Sequence, residues 1–108
     1  MKPEKKQRLE AAGFKVGSAD DFLALTSEQR ALVSLRLSLA GQVRRRRLLL
    51  HYSQADLARR IGSSQSRIAK LEAAESDVSL ELLFRALFAT GANMRDLSKV
   101  FAAAGNAA

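Results

Sequence analysis

The chain reads as an all-α protein, and two features say so. It is rich in Ala, Leu and Arg, with few β-branched runs and a single proline in 108 residues, a composition that favours helices over strands. Its apolar residues also recur at three- and four-residue spacings, in stretches opened by Ser, Thr or Asn and several closed by Gly, which is how helices start and stop in sequence.

The length fits one domain with a modest core. Apolar content of 47% with 27% charged residues is ordinary for a folded soluble chain. With no cysteine, a disulfide framework, a thiolate metal site and a thiol nucleophile are excluded. No apolar run reaches the ~18 residues of a membrane span, and Met1, Lys2 and Pro3 lead into charged sequence rather than a signal core. A cytoplasmic, nucleoid-associated location is expected. The formal charge of +7 favours a polyanionic partner, either nucleic acid or an anionic membrane surface.

Taken in order, residues 4–12 form a short polar helix candidate ended by Gly13. Phe14 and Val16 lie in an extended or turn-like piece, and Ser18 caps a second short helix over about 19–25, with Asp20 and Asp21 in its first turn. Residues 1–25 are therefore an N-terminal helical extension too small to fold alone. Thr26 with Gln29 resembles a capping box, with Leu25 as hydrophobic staple. A long helix then runs from Ser27 to about Leu49. Its stripe is Leu32, Leu35, Leu39, Val43 and Leu50, with Leu37 and Leu48 beside it. The arginine run 44–47 fans around more than half the helix, so Arg44, Arg45 and Arg46 read equally as a solvated basic face.

The stretch 54–72, QADLARRIGSSQSRIAKLE, reads as two short helices with a tight corner. Leu57, Ala58 and Ile61 share one face, and Ile68 and Leu71 another. Gly62 supplies a left-handed stop, Ser63 or Ser64 caps the next helix, and small Ala58 lets the two cross closely. Facing outward are Ser64, Gln65, Ser66, Arg67 and Lys70, polar and free of acid, as suits a helix lying against base edges and phosphates. Further on, Ser79 caps a helix carrying Leu80, Leu82, Leu83, Leu87 and Phe88, ended near Thr90 and Gly91. Asn93 caps a last helix with Leu97, Val100 and Phe101 on one face, and residues 102–108 are expected to fray as a flexible tail.

This segment resembles the helix-turn-helix of the phage-repressor/Cro-like (XRE) family, on Gln54, Ala58, Ile61, Gly62, Ile68, Leu71 and Glu72. The resemblance implies a five-helix, lambda-repressor-like DNA-binding domain over residues 26–101, with the helix-turn-helix at 54–73 and its recognition helix at 64–73. It implies that Arg47 pairs with Glu72 as a structural tie. It implies that Gln65, Ser66 and Lys70 read bases, and that Gln54 and Ser64 grip phosphate. Arg67 stays open between base and phosphate. Arg59 and Arg60 stay open between general attraction for DNA and plain solubility. Two departures stand out. His51 occupies a position where the family has a left-handed glycine, and 73–75 lacks the usual Gly or Asn-Gly stop, so the recognition helix is expected to run up to one turn longer.

The resemblance further implies a homodimer on double-stranded DNA carrying an inverted repeat, with the dimer surface in the C-terminal helices slightly preferred over residues 27–38. Over about residues 8–101 the chain is similar to XRE regulators of the HigA antitoxin type. That leaves a stand-alone repressor or an antitoxin against a RelE-like toxin, with residues 1–25 as the candidate toxin-binding piece. No cofactor, metal site or catalytic residue is expected, because His51 is the lone histidine and the acids are scattered over helix surfaces and caps. A membrane-surface role is disfavoured, because the apolar stripe of 32–50 is needed for the core.

Overall fold

The computed structural model describes residues 24–107. Five α-helices and no strand make up these residues: α1 Ser27–Leu49, α2 Gln54–Ile61, α3 Gln65–Glu72, α4 Leu80–Ala89 and α5 Met94–Ala107. The expected helix over 4–12 lies outside the described residues, as does that over 19–25 except for its last two residues, which form a turn and a bend.

Each helix begins at a side chain that accepts from its own first turn. Thr26 and Gln29 bond reciprocally, at 3.1 and 2.8 Å, ahead of α1. Ser53 and Asp56 do the same for α2, as do Asn93 and Asp96 for α5. Ser64 accepts from the Arg67 amide and Ser79 from that of Leu82. Such caps contribute about 1 kcal/mol each.

Four helices also share one way of stopping. The left-handed residue after α1 is His51 (φ 58°), after α2 Gly62 (φ 67°), after α3 Ala74 (φ 55°) and after α4 Gly91 (φ 87°). After α3 the amides of Ala74 and Glu75 return to the carbonyls of Leu71 and Lys70 at 2.9 and 3.2 Å, a Schellman arrangement. The recognition helix therefore does not run a turn longer. Ala74 takes the conformation a glycine would, and its buried methyl (2% exposed) sits in the core.

Packing corrects the expected stripe of α1. Its buried positions are Val33, Leu39, Ala40, Val43 and Arg47, whereas Leu32, Leu48 and Leu50 are exposed. Val33, Ala40 and Arg47 stand seven residues apart and form the inward ridge, so the flanking leucines rotate outward. α1 packs chiefly on α5 and α4, α2 packs on α3, and α3 also meets α1. The core joins Leu39 and Val43 to Leu57, Ile61, Ile68, Leu71, Leu83, Leu87, Leu97 and Val100. Phe88 and Phe101 lie at its edge, 46% and 47% exposed. Phe101 stacks obliquely on Phe84 with centroids 6.2 Å apart. α5 continues through residues expected to fray, to Ala107, because Ala104 is buried and prolongs its inward face.

Candidate nucleic-acid interface

The pairing of α2 and α3 fixes the interface. Leu57, Ala58 and Ile61 of α2, and Ile68 and Leu71 of α3, are buried, so the opposite face of α3 is directed to solvent. Gln65, Ser66, Arg67 and Lys70 are all exposed there, and Ser64 caps the helix beside them. Ser64 and Ser66 hydroxyls lie 3.3 Å apart.

Behind this face a hydrogen-bonded chain runs from the surface to the interior. Arg47 Nε donates to Glu72 Oε2 at 2.5 Å and its Nη2 to Oε1 at 2.9 Å. A third donor, Nη1, reaches the Tyr52 carbonyl at 2.8 Å. The two side chains are 10% and 5% exposed. The Glu72 carboxylate, bonded to the guanidinium, pushes the Arg47 pKa above its usual value against the opposing effect of burial. Gln54 Nε2 donates to the same carboxylate at 3.3 Å, and Gln65 Nε2 donates to Gln54 Oε1 at 2.6 Å. A carboxylate only accepts. Gln54 must therefore turn its amide nitrogen inward and its oxygen toward Gln65, which leaves Gln65 with its oxygen and one N–H free.

The other cations have different commitments. Arg59 pairs with Asp56 of its own first turn. Arg60 lies over the Tyr52 ring, 4.2 Å from its centroid, a cation–π contact. Asp56 has its carboxyl held below the usual aspartate value, first by the Ser53 backbone amide and then by the Ser53 hydroxyl. Within the arginine run, Arg46 is not a solvated cation. Its Nε donates to Thr90 Oγ1 at 3.0 Å and its Nη2 to the Thr90 carbonyl at 3.4 Å, with Asp96 at 3.9 Å. Arg44 and Arg45 are exposed.

Three contributors carried no sequence signal. Arg36 donates to the Val78 carbonyl and so pins the loop after α3. Arg85 Nη2 donates to the Ile61 carbonyl at 2.9 Å and ties α4 to the end of α2. Asp77 shares a cleft of about 240 Å³ with Ser64, Ser66, Arg67 and Lys70. Spacing along the chain does not reveal contacts that depend on how α4 returns across α2 and α3. Among the described residues no group of His, Cys, Asp and Glu is placed to hold a metal ion, and no helix is long and apolar enough to cross a membrane.

Two packed short helices joined at Gly62, the second with a capped, outward polar face, have the form of a helix-turn-helix. A family model described as helix-turn-helix matches residues 43–100, more than half of the chain. The protein belongs to this helix-turn-helix family, a group of DNA-binding regulators. No curated protein and no solved structure matches the chain.

Proposed function

We propose that this protein is a sequence-specific transcriptional regulator, a repressor that binds an inverted-repeat operator as a homodimer through α3 and its caps, residues 64–73. One observation carries the reading. Gln65 is exposed on α3, yet its amide is oriented through Gln54 by the buried Glu72–Arg47 pair. The donor and acceptor left free on Gln65 match adenine N7 and N6, and Lys70 suits guanine O6 and N7. Pairs of this quality discriminate between bases by ~1–3 kcal/mol. Ser66 is the third base-reading residue. Ser64 holds phosphate through its hydroxyl and sets register, whereas Gln54, with its nitrogen turned inward to Glu72, positions Gln65 instead of gripping phosphate. Arg67 takes phosphate or a flanking base. Arg59 and Arg60, already engaged with Asp56 and Tyr52, add general attraction.

The dimer surface is assigned to the C-terminal helices. Arg46 joins the ends of α1, α4 and α5, and at the ends of α1 and α5 Leu49 and Met94 are 70% and 74% exposed. Residues 26–101 form the DNA-binding unit.

The test is duplex binding by Gln65→Ala combined with Lys70→Ala. The repressor reading expects site preference to disappear while weak, salt-sensitive binding remains. The alternative, a HigA-type antitoxin neutralising a RelE-like toxin, adds a protein contact to the same fold. If its DNA binding were vestigial, the double substitution would leave function intact.

A further inference from the structure

The chain's positive surplus is not on its DNA-facing unit. Between Ser53 and Ser79 the cations Arg59, Arg60, Arg67 and Lys70 are matched in number by Asp56, Glu72, Glu75 and Asp77. In α1, by contrast, six arginines stand against Glu28 alone. Two of the four acids have structural partners, Asp56 with Arg59 and Ser53, and Glu72 with Arg47. Asp77 is different. It is exposed, shows no hydrogen bond or ion pair, and lines the same cleft as Ser66, Arg67 and Lys70.

The backbone around it is tied down on both sides. The left-handed turn at Ala74 folds the loop back beside α3, and the Val78 amide closes a turn onto the Glu75 carbonyl at 3.2 Å. Val78 is buried, with its carbonyl held by Arg36, and Ser79 caps α4. The charged groups around this loop are Arg36, Arg67, Lys70 and half-buried Glu75.

We propose that Asp77 is a specificity-determining residue that works mainly by repulsion, and that it selects a base presenting an amino group in the major groove, cytosine or adenine, beside the base read by Lys70. The inference rests on α3 being the reading helix. In the major groove guanine and thymine present only acceptors in hydrogen bonding, whereas cytosine N4 and adenine N6 are donors. A carboxylate fixed beside the groove is repelled by phosphates and by acceptor edges, and only a donor edge relieves it. Lys70 has the opposite polarity. The pair therefore reads neighbouring positions in opposite senses, and Asp77 penalises mismatched duplexes more than the matched one.

The experiment compares wild type, Asp77→Asn and Asp77→Glu on two duplexes at near-physiological salt. One duplex is selected from a random pool by the wild-type protein, and the other is a scrambled sequence of the same composition. Asp77→Asn is expected to bind the scrambled duplex roughly threefold or more tightly while gaining less on the selected one, so the ratio of affinities falls. Asp77→Glu should keep the wild-type ratio, and neither should change Tm, because Asp77 makes no contact whose loss would matter to folding. Parallel tightening on both duplexes, no change, or weaker binding overturns the role of Asp77 alone. A wild-type protein without preference between the duplexes overturns the regulator reading as well.

Discussion

Arg47 and Glu72 hold opposite charges almost out of water, and removing one partner strands the other. Arg47→Met or Glu72→Leu alone should therefore lower stability by about 3–5 kcal/mol, while the double substitution should cost clearly less; urea unfolding of the three variants measures both. The left-handed stops give a second residue-scale contrast. His51 is exposed, so His51→Gly should stabilise by about 1 kcal/mol by relieving the strained backbone. Ala74→Gly relieves the same strain but loses a buried methyl worth about 0.8 kcal/mol, and its midpoint should barely move. Asp56 sets a pH dependence. Because its carboxyl titrates below the ordinary 3.8, the stability it contributes is complete above that value and is lost as pH falls through the lowered one. Asp56→Ala should be less stable at neutral pH, and the difference from wild type should shrink in acid. At this scale the sequence was legible where one residue type has one job: Thr26, Ser79, Asn93 and Gly62 were expected as caps or stops and occupy those positions. Ala74 was not legible, since nothing in an alanine announces a positive φ.

At the scale of elements, α2 and α3 act as one rigid unit because their buried faces and the Gln65–Gln54–Glu72 chain are continuous. Gln54→Ala should weaken site preference without touching a base, by releasing the amide of Gln65. Competition between selected and scrambled duplexes would reveal it, and an unchanged preference would separate Gln54 from recognition. The helix-turn-helix was readable because its apolar spacings, Gly62 and the outward residues all agree. α1 was readable in extent but not in orientation. A stripe drawn through its leucines misses Val33 and Ala40 and places Leu32 and Leu50 inside, because the inward ridge ends in Arg47, a cation that no hydrophobic pattern includes. The ties made by Arg36 and Arg85 were illegible for a related reason: an arginine that bonds a distant carbonyl looks in sequence like any solvated arginine.

For the whole molecule, a net charge of +7 implied a polyanion, but the surplus lies on α1 rather than on the reading unit. On the proposed reading α1 draws DNA near, while residues 53–79, whose charges balance, select where it binds. The proposed dimer surface is tested by Met94→Glu and Leu49→Glu, each of which should reduce dimer formation in sedimentation while leaving the helical spectrum unchanged. Binding to one half-site should persist in these variants, with cooperative binding to two lost. The most direct test of the whole account is selection from random duplex DNA at near-physiological salt. It should enrich an inverted repeat whose half-sites lie about one helical turn, ~34 Å, apart. Salt-dependent binding with no enriched sequence would contradict the account and leave a non-specific DNA-binding domain.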